Sequence, residues 1–432
     1  GGEDGFGVHH GVAEELGAFA VGRGDPAGRE AEGGLDGFDA GDVALRGAGV
    51  HGQVVAGLEG SAGDFDAAEL DDVGVGGEAE VVADADGGED DAEFEGELAA
   101  EVRALGWPVH HLAKHEGRDW PCIWRLARLL RREHTTIVHT HNVPAHFHGG
   151  LAAVLAGVPV RIHTKHGRDH PNNPAKVRLN HWLATFTDVV VTVSDDAGDV
   201  ALRIEKVNPR KVRRIWNGID TEQYRPASGL ASDRPPTIAT VARLSPEKDQ
   251  KTMLAAFQRV LDGWPSSGPD PSPRLVVIGD GPCRAELEAE ANRLGIAGQV
   301  DFLGMRSDVP SLLPRYTLFT LSSVTEGISM TLLEAMACGV PIVATDVGGN
   351  REIVQPPTCG LIVPPRDPQA LATAYRELLR DPNRRAAMGA AGRQRVVEHF
   401  SLETMCRQYA HLYEELLAKK TANRMTLNTR CV

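Results

Sequence analysis

The chain has 432 residues, too many for one ordinary domain and enough for two or three with well-buried cores. Its six cysteines (Cys122, Cys283, Cys338, Cys359, Cys406, Cys431) lack any C-x-x-C pair, which argues against a disulfide framework or zinc knuckle and fits a reducing cytosol. The net charge of −15 is uneven: residues 1–95 hold 25 acidic and 3 basic residues, leaving 42 basic and 35 acidic in a mildly basic remainder, so the overall acidity excludes no partner of that part.

Residues 1–95 contain no Lys, Ile, Asn, Thr, Tyr, Trp, Cys or Met, and roughly four in five are Gly, Ala, Val, Asp or Glu. Such a composition buries too little to offset ordering entropy. All five dominant residues are encoded by codons beginning with G, so two readings are open: an acidic disordered tail, or a wrong-frame translation of GC-rich DNA joined near Gly96. Gly74-Val75-Gly76-Gly77-Glu78 is Gly-rich, but Leu70-Asp71-Asp72-Val73 and 79–91 supply neither the strand nor the helix that a phosphate loop needs, and it is discounted. The opening Gly1-Gly2-Glu3-Asp4 has none of the regions of a signal peptide, so export is not expected.

From Gly96 the texture becomes alternating strand and helix. Leu98, Val102 and Leu105 form one helical stripe ended by Gly106; Ile123, Leu126, Ala127 and Leu130 form a second, on a helix bearing Arg125, Arg128, Arg131 and Arg132. That basic amphipathic helix fits either an anionic membrane surface or the solvated face of a globular domain. The longest apolar run, Gly149 to Val160, contains Pro159 and falls short of the roughly 20 residues a membrane helix needs. Strands are expected at Ile137–His139, Arg161–Thr164 and Val189–Val193, with helices between them, which predicts a parallel sheet with both faces covered. Asn217-Gly218-Ile219-Asp220 and the stretch Pro226 to Pro236 read as an interdomain connection. A second strand series follows at Thr237–Val241, Leu275–Gly279, Val300–Phe302, Leu318–Leu321, Pro341–Thr345 and Leu361–Val363. Ser401 is a candidate N-cap for a last helix with an apolar stripe of Leu402, Met405, Tyr409 and Leu412; 419–432 continue no such pattern and are expected to fray.

Two motifs carry chemistry. In Ser322-Ser323-Val324-Thr325-Glu326-Gly327-Ile328-Ser329-Met330-Thr331-Leu332-Leu333-Glu334, a strand end passes through a Gly loop into a helix stopped by Gly339 and Pro341. Exposed N–H groups from Gly327 to Thr331 would bind an anion such as a diphosphate, and Glu334 could accept bonds from ribose hydroxyls while Glu326 lies nearer a sugar. In Val241-Ala242-Arg243-Leu244-Ser245-Pro246-Glu247-Lys248, two cations follow a strand, suited to neutralising a departing pyrophosphate. Gly279-Asp280-Gly281-Pro282 is not a dinucleotide fingerprint, because Arg284 stands where the third glycine would.

Together these motifs resemble the retaining glycosyltransferases of family four, the group 1 type with a GT-B fold, from about Gly96 to Leu417. The resemblance implies an α/β fold of two Rossmann-like, doubly wound domains facing across a cleft, the N-terminal one incomplete. Residues 96–226 would form the acceptor-side domain, 227–400 the donor domain and 401–418 a helix packing back across the hinge. It carries the family's paired glutamates to Glu326 and Glu334, its Arg and Lys pair to Arg243 and Lys248, and its donor loop to Gly327, Ile328, Ser329, Met330 and Thr331. Asn217 falls near the hinge, Gly279 in the donor cleft, and Gly304 and Met305 near the base. His166, in Thr164-Lys165-His166-Gly167, matches the histidine that contacts the donor sugar, while His139 and His141 match a second position lining the cleft. A buried structural histidine remains an alternative for His166. The implied reaction moves a hexose from a nucleoside diphosphate sugar to an acceptor hydroxyl with retained configuration, for a cell-surface polysaccharide or glycolipid. A carbohydrate or lipid-linked acceptor, a cytoplasmic location with peripheral membrane contact, no metal or further cofactor, and no nucleic-acid partner are expected.

Three other readings stay open. Twelve of the 17 histidines fall between His110 and His181, and His139-x-His141 is similar to metal-dependent hydrolases of the amidohydrolase type, although no later ligand set completes a site. A damaged N-terminal domain would leave a noncatalytic nucleotide-sugar binder, and a nucleotide-sugar epimerase would share the fold.

Overall fold

Short β-branched runs bounded by turn residues form the strands, and apolar residues spaced three and four apart form the helices between them. The computed structural model describes residues 108–112, 114, 115, 117–167, 172–227, 235–265 and 271–428, with strand segments at 19–22, 52–53 and 81–83. The rest of 1–95, including Gly74 to Glu78, the stripe of Leu98, Val102 and Leu105, positions 228–234 and the last four residues lie outside the described residues.

The chain divides into two units, one running to Ile215 and resuming at Met405, the other spanning Trp216–Thr404. These compact units divide after residues 215 and 404, beside the boundaries at 226 and 400 expected from the sequence. The reason is local: Trp216 packs on Phe400 with ring centroids 4.8 Å apart, and Ile219 pairs with Ser401, so the hinge-like Asn217–Asp220 segment belongs to the second unit.

In the first unit β1 (Phe19–Gly22), β2 (Gly52–Gln53), β3 (Val81–Ala83) and β4 (Val109–His111) precede α1 (Trp120–Arg132) and β5 (Ile137–His141). Then come α2 (Val143–Ala156), β6 (Val160–Lys165), α3 (Pro174–Phe186), β7 (Val189–Thr192), α4 (Asp195–Asp199) and β8 (Val212–Arg214). The main sheet has the order β2-β1-β5-β6-β7-β8; β5 to β8 are parallel and β1 joins the edge of β5 antiparallel. Nearly every residue of β5, β6 and β7 is buried, as helix-covered parallel strands require. Asp119 caps α1 by accepting from the Cys122 N–H at 2.9 Å.

The second unit contains β9 (Thr237–Val241), α5 (Gln250–Asp262), β10 (Arg274–Ile278), α6 (Arg284–Arg293), β11 (Val300–Gly304), α7 (Val309–Leu312), β12 (Leu318–Leu321) and α8 (Met330–Ala337). It continues through β13 (Ile342–Thr345), α9 (Asn350–Val354), β14 (Gly360–Val363), α10 (Pro368–Arg380) and α11 (Pro382–His399), and α12 (Leu402–Asn428) closes the chain. All six strands are parallel in the order β11-β10-β9-β12-β13-β14. The chain moves outward from β9 through β10 to β11, then returns to β12 on the other side of β9. Strand order thus reverses between β9 and β12, and in open parallel sheets the crevice beyond the carboxyl ends at that point receives ligands. Met253, Leu254 and Phe257 of α5 and Leu371, Tyr375 and Leu378 of α10 fill the core against the sheet. The buried Tyr375 hydroxyl is paired with Thr320 Oγ1 at 2.7 Å.

Helix α12 begins in the second unit and belongs to the first from Met405 onward. Its Leu412 and Leu416 complete a cluster with Ile137, Val160, Ile162, Val189, Val191 and Ile215. The helix does not fray at Lys419 as expected but continues to Asn428. Lys420 supplies a reason, since its Nζ lies 2.6 Å from Asp188 Oδ1 and ties the extra turns to the same unit. No helix among the described residues is long and apolar enough to cross a membrane.

Candidate functional site

The loops after β9 and β12 meet at the reversal of strand order. After β9 the chain turns through Arg243, Leu244 and Ser245 into a tight turn at Pro246–Lys248, and Asp249 at φ 44° starts α5. Lys248 is buried, and its Nζ lies 3.1 Å from both carboxylate oxygens of Glu326. Ser323 Oγ donates to Glu326 Oε1 at 2.5 Å, Ser322 Oγ to the Lys248 carbonyl at 2.8 Å, and Val324 N to the Glu247 carbonyl at 2.8 Å. Burial carries a desolvation cost for this ion pair, offset here by a bidentate geometry and a third donor. Arg243, by contrast, keeps an exposed side chain while its carbonyl accepts from Gln250 Nε2 at 2.8 Å. The two cations read from the sequence are therefore not equivalent.

Helix α8 starts at Met330, so the N–H groups of Gly327, Ile328 and Ser329 belong to the loop before it, and those of Met330 and Thr331 to its first turn. Ser329 makes no side-chain cap bond, and Asn217 Nδ2 approaches Met330 Sδ at 3.7 Å. Glu334 lies half-buried one turn further along. The loop is braced from behind: Gly349 N donates to the Gly327 carbonyl at 2.8 Å, and a Cβ on Gly348 would lie 2.1 Å from the Glu326 carbonyl oxygen.

Two further loops join this end of the sheet. Gly279, at φ 121°, donates to the Gly304 carbonyl at 2.8 Å, and Leu244 N donates to the Asp280 carbonyl at 2.8 Å. The glycines of Gly279-Asp280-Gly281 thus serve close backbone approach to the Arg243 loop. Leu303 and Met305 stand exposed on either side of Gly304.

In the first unit, His139, His141 and His166 form one group. His139 Nδ1 pairs with Tyr413 OH and its Nε2 with Thr164 Oγ1, both at 2.7 Å, while His141 Nδ1 and His166 Nε2 are 2.8 Å apart. His146 and His163 form a second pair, stacked with centroids 3.7 Å apart. Thr187 Oγ1 donates to the Leu183 carbonyl and so accepts from His146 Nε2, and His163 Nδ1 donates to the Thr140 carbonyl. The ring nitrogens named here are thus spent on hydroxyls, a carbonyl and one another. Among the described residues no three His, Cys, Asp or Glu side chains are grouped to hold a metal ion, so the hydrolase reading gains no support.

Residues 220–395 match the family Glycosyl transferases group 1, and residues 68–223 match Glycosyltransferase Family 4. A Mycobacterium tuberculosis protein, the GDP-mannose-dependent alpha-(1-6)-phosphatidylinositol monomannoside mannosyltransferase, is 32% identical over 287 residues, covering 60% of this chain and 70% of that protein. The chain belongs to the family four glycosyltransferases. This glycosyltransferase is also 26% identical over 319 residues to the Escherichia coli UDP-Gal:alpha-D-GlcNAc-diphosphoundecaprenol alpha-1,3-galactosyltransferase, covering 70% of the chain and 81% of that enzyme. Its fold is that of GT-B structures such as Anabaena HepE in complex with UDP, with a TM-score of 0.69, 20% identity, and coverage of 83% of this chain and 99% of the other. It is a retaining enzyme that uses a nucleotide-sugar donor.

The family match opens at residue 68, before the start near Gly96 read from the sequence, and takes in the discounted Gly74–Glu78 fragment. Within the glycosyltransferase's second unit the structure gathers Arg243, Lys248, Gly279, Gly304, Met305, Glu326 to Thr331, Glu334 and Asn217 on loops and a helix start at one end of the sheet. His139, His141 and His166 are gathered separately in the first unit. Sequence reasoning quoted Ser323 within its motif but gave it no role, and missed Gln250 and the Gly348-Gly349 loop; the signal for that loop was a glycine pair two residues beyond strand β13.

Burial holds His139 and His146 as neutral rings, with pKa values lowered to about 3, helped by His166 for the first and Lys165 for the second. His141 and His163 are also pushed well below the usual value, chiefly by burial. Lys165 is itself paired with buried Glu205 at 2.9 Å. As pH falls through about 6.5, the unfolded chain takes up protons that the folded rings refuse, so stability present above that pH is progressively lost, at about 1.4 kcal/mol per pH unit for each such ring. Urea midpoints should therefore fall between pH 7 and pH 5, with hydrogen-exchange protection lost from β5 to β7 before β9 to β14. A midpoint that holds steady or rises over that range contradicts neutral burial.

Proposed function

We propose that the enzyme transfers a hexose from a nucleoside diphosphate sugar to a hydroxyl of a lipid-linked or carbohydrate acceptor, building a cell-surface glycan or glycolipid from the cytoplasmic face of a membrane. The observation that carries this reading is the buried Lys248–Glu326 pair beside the start of α8, at the reversal of strand order. Arg243, Lys248 and the N–H groups of Gly327 to Thr331 hold the diphosphate and stabilise charge as it leaves. Glu334 accepts from the ribose, Gly279, Gly304 and Met305 border the base, and Asn217 steadies the first residue of α8. Glu326 orients Lys248 next to the sugar, and His166, placed through His141, serves the sugar by the family resemblance. The support for a lipid-linked acceptor is kinship: the relatives from Escherichia coli and Mycobacterium tuberculosis are named for diphosphoundecaprenol and phosphatidylinositol acceptors.

A second reading, donor binding without turnover, draws on β1: the edge of β5 carries an antiparallel strand from the acidic segment rather than a parallel strand with its loop and helix. Thermal melts with a panel of UDP- and GDP-sugars separate the readings. A donor at a hundred times its Kd adds about 2.7 kcal/mol, a rise on the order of 5–10 °C for a unit of this size. If no sugar nucleotide raises the melting point, the assignment of Arg243, Lys248 and Gly327 to Thr331 to the diphosphate is lost. A rise with sugar transferred to an added lipid-linked acceptor supports the transferase; a rise without turnover supports the binder, and release of an altered nucleotide sugar an epimerase.

A further inference from the structure

The sheet face that α12 covers changes character along its strands. Alternation puts Ile137, His139 and His141 of β5 and Val160, Ile162 and Thr164 of β6 on one side. Leu412 and Leu416 pack against the apolar members of this set. Tyr409 and Tyr413, on neighbouring turns of the helix, meet Thr164 and His139 instead. Tyr413 OH lies 2.7 Å from His139 Nδ1, Thr164 Oγ1 lies 2.7 Å from His139 Nε2, and Tyr409 OH lies 3.1 Å from Thr164 Oγ1. His139 is buried and neutral, so its ring carries one N–H and one lone pair; one hydroxyl donates to it and the other accepts from it. The orientation of this ring is thereby fixed at both edges.

His139 is also the surface on which its neighbours rest. The His141 ring lies over it with centroids 4.3 Å apart, and His141 Nδ1 is 2.8 Å from His166 Nε2. From the helix outward the order is Tyr413, His139, His141, His166, and each ring sets the place of the next. Apolar side chains at 139 and 413 would cover the sheet without the cost of desolvating an imidazole and a phenol. What the polar pair adds is a single arrangement, because a fully bonded buried network holds its members rigidly. We propose that Tyr413 is a positioning residue for sugar transfer: through His139 and His141, its hydroxyl fixes where the His166 ring stands. The hydroxyl of Tyr409 contributes less, since it reaches His139 only through Thr164. The proposal rests on the reading that His166 serves the donor sugar, whereas the coupling between the rings does not.

The full chain, isotope-labelled at its histidine ring nitrogens, shows that coupling by magnetic resonance without any substrate. Signals of His166 are those lost in His166→Ala. In Tyr413→Phe, which keeps the ring and removes only the oxygen, they are expected to shift and broaden. In Leu416→Ala, which loosens the same helix on the same sheet face and should lower the melting point further, they should stay in place. Thr164→Val removes the other partner of His139 and carries the test if Tyr413→Phe does not fold. Turnover is read as nucleoside diphosphate released from UDP-galactose or GDP-mannose, the donors in the names of the two relatives. In Tyr413→Phe kcat should fall about tenfold, a displacement short of the roughly 1 Å that costs about 10²-fold, with donor KM changed less than about twofold. Leu416→Ala should keep the parent kcat. In the His166→Ala background, Tyr413→Phe should cost nothing more, because both substitutions remove one interaction. Unmoved His166 signals in Tyr413→Phe, or a loss of turnover that persists in full when residue 166 is already alanine, overturns the positioning role. Full turnover in His166→Ala, with the ring signals still moved by Tyr413→Phe, overturns the reading of His166 itself and with it any part for Tyr413 in transfer, so the two failures are told apart.

Discussion

Lys248→Met is expected to lower kcat/KM by about 10² to 10³-fold, the loss typical of removing one charge-stabilising donor from a water-poor site. The same change should cost about 3–5 kcal/mol of stability, because it strands the Glu326 carboxylate, whose side chain is only 1% exposed. A second variant separates the two effects. With Lys248→Met and Glu326→Leu together, no buried charge is left without a partner, and stability should return to within about 1–2 kcal/mol of the parent. Turnover should not return. Urea melts and steady-state rates with whichever sugar nucleotide stabilises the enzyme provide both readings. Recovery of activity in the double variant would mean that the pair only holds two loops together.

Gly279→Ala should be nearly as damaging by another route. At φ 121° the backbone suits glycine alone, and a Cβ would lie 2.1 Å from the Ala242 carbonyl oxygen. That oxygen cannot step aside, since Ala242 N is bonded to the Ile278 carbonyl at 3.0 Å and Leu244 N to that of Asp280 at 2.8 Å. A loss of about 3 kcal/mol or more is expected, lowering the melting point by about 6–12 °C. Donor affinity should fall at least about tenfold, because the displaced segment carries Arg243. Gly295→Ala is the matched control: φ is also positive, 71°, but nothing lies within 4 Å of the added carbon, so the cost should be about 1 kcal/mol with affinity unchanged. Equal effects from the two substitutions would refute the steric account.

Strands β9, β10, β12 and β13 were legible because most of their residues are buried and apolar, which signals that placement within a residue or two. Strand β8 was not, because Val212-Arg213-Arg214 sits at a sheet edge with both arginines exposed and shows no apolar run. Glu326 and Lys248 could each be singled out by residue type and by the loop that carries them. Their pairing could not: the two lie 78 positions apart and meet only because strand order reverses between β9 and β12. The histidine crowding was equally plain, but its meaning turned on partners supplied from far along the chain, such as Thr187 for His146 and Tyr413 for His139. The helical stretch from Lys419 to Asn428, expected to fray, was missed for a similar reason, since Asp188 lies far from Lys420 in sequence.

Helix α12 reverses the usual relation between synthesis and folding. Tyr409 and Tyr413 supply hydroxyls to Thr164 and His139, and Leu412 and Leu416 cover β5, β6 and β7. Strands β5 to β7 are therefore made well before α12 and keep an apolar sheet face uncovered until Tyr409 to Leu416 emerge. The stretch from Trp216 to Thr404 contains all six strands of its own sheet and can fold beforehand. The unit spanning 216–404 can thus fold before the first is complete, and a stop codon ahead of Tyr409 would leave the sheet of β5 to β7 without this cover.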